Sequence, residues 1–166
     1  MKRWSIGAAL VAALAVTPGA LPASSKVLFK PGFNLCKAAP LTAVRKTGGQ
    51  PYRPGAFDGR VCNWERADFK AGITLAVLTG ATATAMKPRI TGVHGTTTGP
   101  GGMKMRRVKP SGGSAAVIET LPVAVKGEFS KELLIAFPQG IAHISVTAPG
   151  SLPDSRVLAI GALLTK

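Results

Sequence analysis

Basic side chains dominate the middle of this chain. Residues 69–118 include seven lysines and arginines and no acidic residue, and the whole chain carries a formal net charge of +14. Cations of this kind contact phosphates and other anions, and neighbouring glycines let the backbone approach a ligand. The sequence therefore predicts an anion-binding basic loop, with these candidate residues: Lys87, Arg89, Lys104, Arg106, Arg107 and Lys109.

Met103 and Met105, with His94 nearby in the sequence, are soft ligands suited to Cu(I). Lys104 lies between the two thioethers, so the positive field around them opposes the binding of a cation. We therefore expect no metal and no other cofactor. If a Cu(I) site exists, Met103, Met105 and His94 are its candidate ligands.

The sequence contains no recognisable catalytic motif. The string nearest to G-x-S-x-G is PSGGSAA, in which the spacing is wrong. His94 and His143 lie 49 residues apart and have no evident triad partners. Asp58, Glu65 and Asp68 fit solvated turns better than a paired-carboxylate site. We expect a protein that is not an enzyme, with a small enzyme of unrecognised type as the alternative.

The chain has two cysteines, Cys36 and Cys62. They do not have the CxxC spacing of a redox or metal motif, and no histidine is near them in the sequence. In an oxidising compartment they would form one disulfide, which the loop-entropy model credits with roughly 3.5 kcal/mol. Trp64 would share a strand face with Cys62, where we expect it to pack rather than to stack on a ligand.

Residues 1–23 have the three parts of a secretory signal peptide: the basic start MKRW, an apolar run over residues 6–16, and a Pro/Gly/Ala end. The run is too short to stay as a membrane span, and no later apolar stretch is long enough for one. We expect cleavage near Ala23 and a periplasmic or secreted mature chain without a transmembrane segment.

We expect residues 24–34 to be a linker, as an N-terminal strand or a loose arm, and residues 35–166 to be one domain. Glycine and proline make up 33 of the 166 residues, which favours short strands joined by turns. The sequence predicts a short helix at 35–46, a brief helix at 81–86 that stops before Pro88, and an amphipathic helix capped by Ser151. Strands are predicted at 60–65, 72–79, 115–119 (continuing toward Val125), 131–137 and 141–147.

The order of these features resembles a family of small exported bacterial domains of unknown function, many of which are lipoproteins. The residues that carry the resemblance are Cys36, followed by a short helix, and the Cys62-x-Trp64 motif, followed by a hairpin. The resemblance covers residues 35–165 and implies an α+β sandwich with the two cysteines paired. This chain departs from the family by lacking a cysteine for lipid attachment after the leader.

The sequence as a whole predicts an α+β fold: an antiparallel sheet with a short N-terminal helix, a C-terminal amphipathic helix and one disulfide. The predicted function is that of an exported, non-catalytic envelope domain that binds an anionic lipid or polymer through its basic loop. Nucleic acid fits poorly, because the loop has no interleaved aromatic residues for base stacking. The alternatives are a small extracytoplasmic enzyme and a Cu(I)-binding protein.

Overall fold

The computed structural model describes residues 25–110, 112–121 and 127–165. The expected signal peptide and the continuation of the 115–119 strand toward Val125 lie outside these residues. The helices are α1 Ser25–Leu28, α2 Leu41–Gly48, α3 Gly80–Thr91 and α4 Asp154–Leu164, with 3₁₀ turns at Leu35–Lys37 and Pro100–Gly102. The strands are β1 Ala56–Phe57, β2 Val61–Glu65, β3 Gly72–Leu78, β4 Thr96–Thr98, β5 Lys104–Val108, β6 Ala115–Thr120, β7 Glu128–Phe137 and β8 Gly140–Pro149.

All eight strands form one antiparallel sheet in the order β1-β2-β3-β8-β7-β6-β5-β4. The β7–β8 hairpin lies near its centre, and its ten paired positions run from Glu128 opposite Pro149 to Phe137 opposite Gly140. The predicted α+β fold with an antiparallel sheet, an N-terminal short helix, a C-terminal helix and one disulfide is confirmed. The short helix begins after Pro40, and Gly49 ends it in the left-handed conformation at φ 67°.

One face of the sheet packs against α2 and α4. The predicted apolar stripe of α4 is buried there: Val157, Ile160, Gly161 and Leu164. Gly161 lies so close to β7 that a Cβ at this position would be 2.3 Å from Cδ2 of Leu133. The missing side chain therefore lets helix and sheet approach, which compensates for the poor helix propensity of glycine.

The other face is covered by α3, which is longer than predicted. The expected brief helix over residues 81–86 instead runs to Thr91 and includes Pro88. Ile90 is fully buried against the sheet in a cluster with Val117 and Leu134, and this burial holds the helix together past the exposed proline. Residues 133–137 of β7 are therefore buried on both faces of the sheet.

The segment predicted as a Gly/Thr-rich loop and a basic run contains a hairpin. Strand β4 pairs with β5, and Thr97 lies opposite Met105. Gly101 and Gly102 adopt φ 71° and 79° in the connecting turn, where residues with a Cβ would be strained. The threonines of β4 favour a strand, and β4 pairs with β5 because β5 is itself held by β6. The local sequence does not reveal the pairing of β5 with β6.

The start of α4 also differs from the prediction. The residue at the N-cap position is Pro153, not Ser151, and its side chain makes no capping hydrogen bond. Arg156 and Val157 donate their backbone N–H groups to the carbonyl of Pro153. Proline fixes the backbone dihedral φ that this position needs, so the helix begins without a side-chain cap.

The N-terminal arm, residues 28–35, packs on the domain instead of forming a strand or a loose linker. Leu28 is buried in the main core. The ring of Phe29 lies 5.5 Å from the ring of Phe137 at the end of β7. These two apolar side chains hold the arm on the sheet.

The predicted disulfide between Cys36 and Cys62 is confirmed. Gly55 approaches it so closely that a Cβ would lie 2.6 Å from the sulfur of Cys62 and 2.8 Å from that of Cys36. The same Cβ would lie 2.7 Å from Nε1 of Trp64, which is buried on the same strand face as Cys62. The bridge, the tryptophan and the bare backbone of Gly55 therefore form one tightly packed unit.

Gly55→Ala is expected to lower the free energy of unfolding by about 1–3 kcal/mol, because the added methyl group overpacks the bridge and Trp64. Urea denaturation of the oxidised protein measures the change. Gly72→Ala is the matched control, since its Cβ would meet its nearest atoms at 3.9 Å. Equal losses in the two variants would contradict this account of Gly55.

Candidate functional site

The basic segment lies on strand β5, so its side chains alternate between the two faces of the sheet. Arg106 points toward α4, where it pairs with Asp154. Arg107 points toward the end of α3, where it donates hydrogen bonds to the carbonyls of Thr91 and Val93. The structure therefore divides the predicted anion-binding residues instead of gathering them in one loop.

The cations on the α3 side are bound within the protein. Arg89 donates to Oε2 of Glu119 at 3.0 Å, and Lys87 donates to the carbonyl of Pro138 at 3.1 Å. Arg107 lies 3.0 Å from the carbonyl of Thr91, at the negative end of the α3 dipole. These side chains hold α3 against the sheet. Because their hydrogen bonds are made within the protein, they are poorly placed to bind an external anion.

On the α4 side, positive charge exceeds negative charge. Arg106 and Lys131 both donate to the carboxylate of Asp154. Burial opposes the ionisation of Asp154, but the hydrogen bonds from Lys131 and Arg106 outweigh it and hold its pKa below the ordinary value. Lys104 and Lys131 flank Thr120 in register, and Lys104 has no ion-pair partner among the described residues.

Two exposed phenylalanines lie at the same end of the sheet as Lys104. Phe69 is 73% exposed and Phe129 is 40% exposed, and no other large apolar side chain of the described residues is exposed to this degree. The register aligns the start of β3 with the end of β8, and the end of β8 with the start of β7. We call this region the Phe69 end: the 66–71 turn and the starts of β5 and β7.

Phe69 also has an unusual backbone. Its φ of 57° is positive, which no other non-glycine residue of the described chain shows. Such a conformation costs on the order of 1 kcal/mol for a residue with a bulky side chain. The string ADFKAG places one aromatic residue among turn formers, and this was the signal in the sequence that could have identified the position.

The three Cu(I) candidate residues lie in different environments. Met105 is buried in the apolar cluster beneath α3, and Met103 packs against that cluster. The sulfur of Met103 lies 3.9 Å from the Arg89 guanidinium, whose charge repels a cation, and His94 is exposed. Within the described residues, no group of three or more His, Cys, Asp and Glu side chains is arranged to hold a metal ion.

A ladder of titratable side chains crosses the α3 face of the sheet. Glu119 lies directly opposite Glu132 on the neighbouring strand, and Oε2 of Glu132 lies 3.2 Å from Nε2 of His143. Burial raises the pKa of Glu119, while the contact with His143 lowers the pKa of Glu132. Two carboxylates whose pKa values are driven apart are typical of acid–base pairs in enzymes.

Glu119 is buried and paired within the protein. It is 2% exposed, and Arg89 of α3 lies 3.0 Å from its Oε1 as well as from its Oε2. The ladder therefore joins α3 to the sheet, with Arg89 offsetting the repulsion between the two carboxylates.

Comparisons with protein-family models, with curated proteins and with solved structures each find no match to this chain. Within the described residues, no helix is long and apolar enough to cross a membrane. The side chains and their surroundings must therefore carry the functional assignment.

The two carboxylates of the ladder predict opposite effects of pH on stability. The folded-state pKa of Glu132 is lowered, so its contribution is present above the ordinary value of 4.5 and is lost as the pH falls further. The folded-state pKa of Glu119 is raised, so its ionisation costs stability at neutral pH, and that cost disappears in acid. Urea denaturation over a pH series should show a flatter acid limb in Glu132→Gln and a steeper one in Glu119→Gln. The same change of slope in both variants would contradict the assignment.

Arg89→Met is expected to destabilise the protein by about 1–3 kcal/mol, because Glu119 is left buried without its charged partner. The double variant Arg89→Met with Glu119→Gln should recover most of this loss, since the unpaired charge is then gone. Lys109→Met, at an exposed cation with no ion pair or side-chain hydrogen bond among the described residues, is the control and should change stability by no more than about 0.5 kcal/mol. Full additivity of the two substitutions in thermal unfolding would show that the residues are not coupled.

Proposed function

We propose that the protein is an exported, non-catalytic envelope domain that docks on an anionic lipid surface through the Phe69 end. The observation that carries the proposal is the presence of exposed Phe69 and Phe129 at the end of the sheet that also bears Lys104 and Lys131. Aromatic side chains enter the lipid interface, while lysines and arginines are attracted to anionic head groups.

Two carboxylates at this end of the sheet are neutralised by cations of the fold, while Glu65 and Glu128, which also lie there, form no ion pair among the described residues. Arg106 and Lys131 share the single carboxylate of Asp154, so that charge is already neutralised. Asp68 in the 66–71 turn is likewise paired with Arg66, and this hydrogen bond lowers its pKa to about 2. Lys70 and Lys104 have no acidic partner among the described residues, so they remain available to an external anion.

The apolar side chains at this end favour a lipid over a polymer. A dissolved polyanion offers nothing that would bury Phe69 or Phe129, whereas a bilayer interface removes both rings from water. Phe69 also holds a left-handed backbone conformation, closed by a hydrogen bond from its N–H to the carbonyl of Arg66, while its side chain is 73% exposed. An exposed apolar side chain on a strained backbone is a common feature of a surface that binds a partner.

Export is supported by the disulfide, because such bonds persist in oxidising compartments, and by the leader-like composition of residues 1–23. Together these features favour a periplasmic or secreted location. The family of small exported domains proposed from Cys36, Cys62 and Trp64 is compatible with this role. The burial of Glu119 and its ion pair with Arg89 support a non-catalytic function.

Co-sedimentation with vesicles tests the proposal. Phosphatidylglycerol vesicles should retain the protein at low salt and release it as the salt concentration rises, whereas phosphatidylcholine vesicles should retain little. Lys70→Gln with Lys104→Gln should weaken binding about 30-fold, at about 1 kcal/mol for each cation removed. The matched control is Lys37→Gln with Lys46→Gln, which removes the same charge from exposed positions on the 35–37 turn and α2.

Phe69→Ser should also weaken vesicle binding while leaving the unfolding midpoint nearly unchanged, since Phe69 is 73% exposed. Phe129→Ser should weaken binding with some loss of stability, because Phe129 is only 40% exposed. Binding to soluble polyphosphate serves as the second arm. Strong polyphosphate binding that is insensitive to the two serines would favour a polymer ligand instead. Equal losses in the Lys70/Lys104 and Lys37/Lys46 variants would show that net charge, not the Phe69 end, drives the association.

A further inference from the structure

A cleft with a volume of about 510 Å³ lies between the N-terminal arm and the strands β2 and β3. This volume falls within the range of natural small-molecule sites. Most of its lining is apolar, and Lys30 and Arg60 also line it, while no acidic residue of the described chain does. The apolar residues that line it include Leu28, Phe29, Phe33, Val61, Val77 and Leu78.

The disulfide holds the two walls of this cleft together. Leu35 lines one wall and directly precedes Cys36, while Val61 lines the other wall and directly precedes Cys62. Phe29 is fixed against Phe137, which anchors the far end of the arm. The cleft is therefore preformed, and preformed sites bind without first ordering their walls.

The cations of the cleft form no ion pair with an acid, although the charge of Arg60 acts on the nearby carboxylate of Asp58. Lys30 and Arg60 are exposed and form no ion pair with a described residue. Asp58 is the nearest acid in the sequence, but its carboxylate accepts hydrogen bonds from the backbone N–H groups of Arg60 and Val61 at 2.9 and 2.8 Å. These backbone hydrogen bonds lower the pKa of Asp58 and fix the turn that presents Arg60.

We propose that this cleft binds the acyl chain of an anionic amphiphile, whose carboxylate or phosphate head is held by Lys30 and Arg60. The apolar walls match an alkyl chain, and two cations without acids match a negative head group. A fatty acid and an alkyl phosphate share this chemistry.

This site is separate from the Phe69 end. The cleft lies at the Leu78 end of β3, while the 66–71 turn precedes Gly72 at the opposite end of the same strand. Loss of vesicle docking and loss of amphiphile binding can therefore be measured independently.

Titration of the purified protein, observed by backbone amide NMR, tests the inference. Dodecanoate and dodecyl phosphate should shift the amides of residues 28–35 and 76–79, and their relative affinities show which head group is preferred. Dodecanol should bind more weakly than either, and dodecyltrimethylammonium should bind weakest, because Lys30 and Arg60 repel it.

Lys30→Gln with Arg60→Gln should weaken dodecanoate binding about tenfold and leave dodecanol binding unchanged, as expected for two exposed charge contacts. Lys46→Gln with Arg53→Gln is the matched control, because both residues are exposed and lie outside the cleft. Val77→Phe should reduce the binding of all four probes by filling the cleft, because Val77 packs in the same apolar cluster as Phe29 and Phe33. Reduction of the disulfide should weaken binding as well, since it frees both walls.

Three results would overturn the inference. The first is equal affinity for dodecanoate and dodecanol with no effect of Lys30→Gln and Arg60→Gln. The second is a set of ligand shifts that maps to the Phe69 end instead of the cleft. The third is a cleft already filled by residues 1–24 or by a second copy, seen as shifts that depend on that segment or on protein concentration without added amphiphile.

Discussion

The buried bridge between Cys36 and Cys62 is the constraint on which the surrounding structure depends. It joins the 35–37 turn to β2 and is enclosed by Trp64 and the bare backbone of Gly55. The chain has 9 aromatic residues in 166, so much of its core is built from small aliphatic side chains. A covalent link that restricts the unfolded chain is a substantial source of stability for such a core, and it also fixes the arm that forms one wall of the cleft.

The second constraint is the coverage of both faces of one sheet by short helices. On one face, α4 approaches closely because Gly161 has no side chain to hold it away from Leu133. On the other, α3 is anchored by Ile90 and by the Arg89–Glu119 pair. Glu119 is buried while Arg89 is 45% exposed, so the pair adds little net stability, but it permits few alternative positions for α3. Several basic residues are thus part of the architecture, and the charge available to a partner is smaller than the net charge of the chain implies.

The sequence was informative where a pattern is local. The alternation of Leu133, Ile135 and Phe137 predicted β7, and the even cysteine count, taken with the expected export, predicted the bridge. It was uninformative where the decisive contact comes from a distant segment. The helix passes Pro88 because Ile90 is buried by strands that lie later in the chain, and β5 is a strand because β6 offers it an edge. The acids that pair with Arg89 and Arg106 lie 30 and 48 residues away, so the sequence could not show which cations were already neutralised.

The same reasoning distinguishes a free cation from a structural one. Arg89, Arg106 and Arg107 each have a partner fixed by the fold, and a ligand that recruited any of them would have to replace that partner. Lys70 and Lys104 have no such partner, and they lie at the end of the sheet that exposes two phenylalanines. Lys30 and Arg60 are equally free and lie beside an apolar cleft. Free positive charge is thus found next to unburied apolar surface at both ends of β3. A polyanion would use the charges and leave the apolar surface in water, whereas an anionic lipid uses both.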